Sequence, residues 1–238
     1  MKWIFIALLF GSVAGVCHAL EVGPLVHEIQ SDSPMRSSKV TVRNNSANTQ
    51  LVDAQVMALN FDKSGFVAAP VNGDEIIVTP PAFKLEPGQI QSFMVVWAGG
   101  QSLKQSRSYS VQLSALSQKT GAQQNNISIL INYNVIVHVS STRHVANIST
   151  QPIHVSKSDN LVNFTVDNLG TKYTKLSNYN LRFKKNQSSK PYVLTGEQIA
   201  GSDYDVFIPA KQATEIHLPN ILFSGRQFEQ VTLEKRLP

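Results

Sequence analysis

Side chains able to do chemistry are few and scattered. The chain of 238 residues has six His, one Cys and 16 acidic residues. Five of the His (His27, His138, His144, His154 and His217) lie beyond the N-terminal apolar segment. A protein zinc site needs three or four His, Cys or carboxylate ligands, usually with two close in sequence. His138 and His144 are six residues apart across the end of a strand pattern, which reads as an incidental pair. Nucleophilic chemistry fares no better: Ser is abundant, but no Gly-x-Ser-x-Gly elbow occurs. Asp203 and Asp205 flank Tyr204 as the two carboxylates of a glycosidase could, yet nothing around them supports that chemistry. No glycine-rich phosphate loop is present. The expectation is a non-enzyme with no cofactor and no metal.

The residues that could do something unusual are apolar. Residues 127–139 read Ile-Ser-Ile-Leu-Ile-Asn-Tyr-Asn-Val-Ile-Val-His-Val. Every odd position is apolar, from Ile127, Ile129, Ile131 and Tyr133 to Val139, and Ser128, Asn132, Asn134 and His138 are polar. Such a strand spans about 43 Å at about 3.3 Å per residue, longer than most. For Tyr133 to Val139 the plain reading is a strand facing its own core. Ile127 to Ile131 are expected to overrun it. An exposed alternating apolar edge invites aggregation. Its physical use is donation: the strand pairs with an incomplete sheet elsewhere and fills that core with alternate side chains.

The elements that must position this strand are themselves strands. Tyr109, Val111, Leu113 and Ala115 alternate with Ser108, Ser110, Gln112 and Ser114, which predicts a half-buried strand. Val40 and Val42 lead into an Asn44-Asn45-Ser46 turn, and Phe93, Val95 and Trp97 end at Gly99-Gly100. Val162, Phe164 and Val166 form a further stripe, as do Tyr179, Leu181 and Phe183. No long stretch has helical spacing. Short strands with turns between them predict an all-β chain of two immunoglobulin-like β-sandwiches, each about 100 residues. The expected division is residues 20–142 and 143–238, with a linker near 140–146.

Lys2, the apolar run to Phe10 and the small residues before Ala19 predict a signal peptide over residues 1–19. A lipoprotein reading through Cys17 is weaker, because Val16 is bulky where a small residue is wanted. Cutting after Ala19 removes the only Cys, so a mature chain would hold no internal disulfide. No later run predicts a membrane span. The net charge of +5 is uneven. Residues 20–142 hold eight cations and eight anions, and residues 143–238 hold twelve and eight, a net of +4. No basic run is interleaved with aromatics, so no nucleic-acid partner is expected. Lys184, Lys185 and Lys190 around Asn186-Gln187-Ser188-Ser189 read as a solvated hairpin tip. An X-Pro bond at Pro80 or Pro81 can be cis, a trans loop being the ordinary reading.

Several motifs in this order resemble the periplasmic pilus-assembly chaperones of the chaperone–usher pathway, in their archaic-like branch. Val78-Thr79-Pro80-Pro81 followed by Leu85-Glu86-Pro87-Gly88-Gln89 is similar to that family's Pro-Pro, Leu-x-Pro-Gly, Gln segment. Tyr109-Ser110-Val111-Gln112-Leu113 sits where the family has a Tyr-Arg-Leu strand, and Ile129 to Val135 resembles its donor strand. Asp167-Asn168-Leu169-Gly170 is similar to its second-domain Asn-x-Gly stretch. The resemblance implies two domains in an L or boomerang, located in the periplasm. It implies pilin subunits as cargo and an outer-membrane usher as recipient.

In that mechanism the chaperone lends a strand to a subunit that lacks its own last one. Ile127, Ile129, Ile131 and Tyr133 would be the subunit-binding residues. Each buried Ile would contribute roughly 1.5–3 kcal/mol. A one-residue slip would present Ser128, Leu130 and Asn132 instead. One departure stands out. Many members grip the subunit's C-terminal carboxylate with an Arg on the first strand and a Lys on the last. Here Gly23 to Ile29 holds no Arg, the last strand holds no Lys, and Ser110 stands where an Arg usually follows the Tyr. The carboxylate anchor is unassigned, with Arg43 and Arg107 read as solvated. The other functional class is a secreted structural or adhesive β-sandwich. Self-association through the exposed strand is a further expectation.

Overall fold

The computed structural model describes residues 20–62, 65–71, 73–100, 102–118, 131–150, 154–156, 160–224 and 226–236. The first half forms ten strands: β1 (Leu20–Gly23), β2 (Val26–Gln30), β3 (Ser37–Asn44), β4 (Thr49–Asp62), β5 (Gly65–Pro70), β6 (Ile76–Thr79), β7 (Ala82–Leu85), β8 (Ile90–Trp97), β9 (Arg107–Gln118) and β10 (Ile131–Ser140). One sheet runs β1-β3-β8-β6. The other runs β2-β10-β9-β4-β5, with β7 also on β4. The predicted stripes meet between the sheets. Val40, Val42, Phe93, Val95 and Trp97 face Val111, Leu113, Val135, Val137 and Val139, all at most 2% exposed.

The opening strand serves both sheets. β1 pairs antiparallel with β3, and β2 pairs parallel with β10. The switch falls at the cis Gly23–Pro24 bond. Proline has no N–H to continue a ladder, so the change of sheet is placed where pairing must lapse. Thr79–Pro80 is also cis.

The second half has its own core. Its strands are β11 (Ile148–Thr150), β12 (His154–Ser156), β13 (Leu161–Asn168), β14 (Thr174–Lys175), β15 (Tyr179–Lys184), β16 (Tyr192–Leu194), β17 (Phe207–Ile208), β18 (Gln212–Pro219) and β19 (Gln230–Lys235). β13 pairs with β11, β12 and β18, and β15 lies between β16 and β19. Val162, Phe164 and Val166 pack with Leu181, Phe183, Phe223 and Phe228. Among the described residues, helix is limited to α1 (Gly196–Ile199) and two 3-10 turns, Leu176–Asn178 and Asn220–Phe223. No helix of the described residues is long and apolar enough to cross a membrane.

The two halves use one turn device twice. Buried Asn44 ends β3, donates from Nδ2 to the Asn48 carbonyl, and accepts the Ser46 N–H. Buried Asn168 ends β13, donates to the Lys172 carbonyl, and accepts the Gly170 N–H. At Gly170 a Cβ would stand 2.3 Å from the Val145 carbonyl, so only glycine lets the turn lie against the connecting segment.

Candidate functional site

β10 has a different neighbour along each half. β9 pairs with it antiparallel from Ile131↔Ala115 to Val139↔Arg107. On its other side β2 reaches only Ile136 to Ser140, closed off by the Ile136 N–H donating to the Leu25 carbonyl. Below Ile136 no described strand covers that side, so residues 131–135 present a sheet edge. Exposed edges are normally blunted by charge, proline or a bulge. Residues 131–135 contain no charge and no proline.

Of the four predicted binding residues, Ile127 and Ile129 lie outside the described residues. Ile131 is the first residue of β10. Tyr133 packs half-buried against the first core, and its hydroxyl donates to the Leu20 carbonyl at 2.7 Å. On the opposite face Ser114 donates to Asn132 Oδ1 at 3.0 Å, and Ser110 to Asn134 Oδ1 at 3.3 Å. These bonds fasten β10 to β9 and leave its free side alone.

The upper half of the same face meets the second domain. The His138 ring stacks on Phe207 with centroids 5.0 Å apart and lies 4.4 Å from Tyr173. Phe207 also stacks on Phe61 of β4 at 4.7 Å. One aromatic cluster therefore joins β4 and β10 to β17. Burial holds the His138 imidazole down to about 4, with Glu28 opposing and Lys175 adding to the shift. Its Nδ1 lies 2.8 Å from the Ser108 hydroxyl. This face of β9 is not half-solvated as its polar side chains suggest. Ser108 and Ser110 are 7% and 2% exposed. Ser108 is satisfied by His138, which the second domain covers.

Polar contacts back the cluster. Lys172 Nζ lies 2.7 Å from Glu28 Oε1, which also accepts from Ser140. Burial pushes the Glu28 carboxyl up, but Lys172 and Ser140 bring it below its ordinary range. Asp32 accepts from the Thr142 and Ser141 hydroxyls and the Thr142 N–H, which holds its carboxyl far below the usual range. His144 Nε2 donates to the Leu103 carbonyl while Nδ1 accepts the Ser141 N–H, which fixes its tautomer. Burial also pushes the Tyr173 hydroxyl up.

Beside the cluster opens a cleft of about 440 Å³ lined by Phe61, Glu75, Arg107, Tyr109, Tyr173 and Phe207, among others. Arg107 is exposed, as expected from sequence, but it is ion-paired. Its Nη1 lies 2.7 Å from both Glu75 oxygens. Tyr109 donates to the same carboxylate, and burial together with that bond pushes its hydroxyl up to about 12. Arg43 is exposed at the end of β3. Asp205 accepts from the Ser177 N–H and hydroxyl, so it braces a turn. No group of three His, Cys, Asp or Glu able to hold a metal occurs among the described residues.

Residues 27–140 match the model of the PapD N-terminal domain, described as a pili and flagellar-assembly chaperone. This domain belongs to the PapD family of pilus-assembly chaperones. The fold extends the likeness to both domains. The whole chain is similar to a chain of the chaperone–tip adhesin complex of CFA/I fimbriae biogenesis, at 16% identity and a TM-score of 0.59, over 92% of each chain. It is similar to a chain of the Salmonella enterica SafA pilin–SafB chaperone complex, at 17% identity and 0.54, over 84% of each. It is also similar to a chain of the CsuC–CsuE pre-assembly complex from archaic Csu pili of Acinetobacter baumannii. There the identity is 12% and the TM-score 0.51, over 83% of this chain and 89% of that one. A comparison with curated proteins found no match. The chain thus has the two immunoglobulin-like sandwiches its periodicity predicts, and the family that its first domain matches is one of assembly chaperones.

Proposed function

We propose that this chaperone binds pilin subunits in the periplasm by donor-strand complementation and hands them to an outer-membrane usher. In this reading residues 1–19 are the removed signal. Residues 20–142 are the subunit-binding domain and residues 143–238 the second domain. The observation that supports it most is the uncovered edge of β10 at residues 131–135. In the sequence, the odd-numbered apolar series continues back from Tyr133 through Ile131 and Ile129 to Ile127. An incoming strand would pair along this sheet edge and receive alternate Ile side chains in its own groove. Two of the similar structures are chaperone complexes with a tip adhesin and with a pilin, which supports a pilin as cargo.

Arg107 is committed to Glu75, which argues against a free cationic anchor at that position. That agrees with the archaic-like branch, where the sequence departs from the Arg and Lys pattern.

The test is affinity capture of subunits from periplasmic extract with the mature chain and with Ile129→Asp as parallel baits, both checked for folding by circular dichroism. A small β-rich subunit that co-purifies with the native bait and is lost with Ile129→Asp is the expected result. Equal capture by both would place Ile129 outside the interface. Capture by neither folded bait would return the chain to a generic secreted sandwich.

A further inference from the structure

The hairpin read from sequence as a solvated lysine tip has an unexpected companion. β15 and β16 form an antiparallel pair, and the turn between them carries Lys185 and Lys190. Arg226, from a segment about forty residues on, comes to the same place. The three cations line a shallow cavity of about 460 Å³ with Tyr192 and Phe228. The Arg226 guanidinium lies over the Tyr192 ring, 5.0 Å from its centroid. None of the three has an acidic partner among the described residues. Some other cations of the second half do have acidic partners: Arg182 with Glu234, Arg236 with Glu197, and Lys172 with Glu28 of β2.

Position adds to this. Tyr179 starts β15 at a groove it shares with His144 and Val145 of the connecting segment. Lys184 ends β15 five residues later, roughly 16 Å further on at about 3.3 Å per residue. The cavity therefore sits at the end of the second domain remote from the first. β13 spans the same distance in the opposite direction, since its last residue Asn168 is at the connecting segment and its first, Leu161, pairs with Pro219. That brings the turn Asn220–Phe223 to the same pole. Ile221 on this turn is 80% exposed, and the adjacent Leu222 carbonyl accepts the Tyr192 hydroxyl.

We propose that this pole is a docking surface for an anionic phospholipid layer. Long cationic side chains with no acidic partner among the described residues, around one protruding apolar residue, suit a headgroup layer whose anions have no fixed arrangement. A protein partner of fixed shape would call for a wider desolvated apolar centre than one isoleucine offers. The surface is remote from the β10 edge, so cargo and membrane can be held together. The inference does not depend on the donor-strand reading.

The experiment is co-sedimentation of the mature protein with vesicles of phosphatidylglycerol and phosphatidylcholine, and with phosphatidylcholine alone. Binding to the anionic vesicles only, weakened by salt, is expected. Lys185→Glu/Lys190→Glu/Arg226→Glu should reduce it by at least fivefold per cation, the factor that corresponds to roughly 1 kcal/mol for each Lys or Arg near such a surface. Ile221→Ser should weaken it less. Lys39→Glu/Arg43→Glu/Lys104→Glu makes the same change in net charge on exposed residues of the first domain, and should leave most binding intact. Equal loss in the two triple variants would overturn the proposal in favour of net charge alone. Absence of vesicle binding, or retention by an acidic protein without it, would also overturn it.

Discussion

The two halves of β10 share one strand, one alternation and one neighbour in β9, and they differ in what lies on the other side. From Ile136 to Val139 the strand is paired on both sides. Its odd face fills the core through Val137 and Val139, and its even face is capped by Tyr173 and Phe207 through His138. From Ile131 to Val135 β9 is the one described strand that pairs with it, and Asn132 and Asn134 stand exposed. The difference teaches that alternation alone does not separate a structural segment from a binding one. Neighbouring strands do, because they decide whether backbone groups and apolar side chains are already satisfied.

The largest expected effect breaks the closed half. Val137→Asp would bury a carboxylate in the first core and should cost about 4 kcal/mol or more. Asn132→Asp on the open half should stay within about 0.5 kcal/mol. Urea unfolding of both variants measures the contrast, and similar losses would mean that the halves are equally structural. Next, Phe207→Ala removes the ring shared by Phe61, His138 and Tyr173. It should cost about 1–3 kcal/mol, less than a fully buried ring, because Phe207 is only partly buried. Small-angle scattering should also show a broadened angle between the domains. An unchanged profile would assign the angle to the polar contacts of Asp32, Glu28 and His144.

The smallest effect is one of pH. The unfolded chain takes up the His138 proton near the ordinary value of 6.5, and the folded chain only near 4. The unfolded state binds more protons between these values, so stability falls as pH drops through that window. The His138 contribution is complete above about pH 6.5 and lost below about pH 4. A shift of that size is worth at most about 3 kcal/mol. His138→Gln should flatten the acid slope of thermal melts over this window, and an unchanged slope would assign the loss to other groups.

Much of the fold was legible because half-buried strands write their faces in period two. The pairs Val40/Val42, Phe93/Val95 and Leu181/Phe183 are all fully buried, as alternation predicts. The joint between domains was not legible. Phe61, His138, Tyr173 and Phe207 are spread over 147 positions of sequence, and no local spacing links them. His138 looks like a stray metal ligand until its stacking partners are known. Arg107 and Glu75 are likewise ordinary surface residues in sequence, and only the approach of β9 to the loop before β6 pairs them. Arg226 joins Lys185 and Lys190 for the same reason: a return of the chain, not a motif.

The point at which β2 joins β10 has a bearing on selectivity. β2 begins at Val26, two residues after Pro24, and takes up β10 from Ile136 onward. The first strand thus acts as a ruler. In the donor-strand reading proposed above, it decides how many residues of β10 remain for a guest, while β10 itself decides only which side chains are offered. Lengthening β2 by two residues toward the N-terminus would shorten the vacant stretch by two without changing one residue of the donor sequence. Guest length and guest chemistry would then be encoded in separate parts of the chain, and each could change without the other.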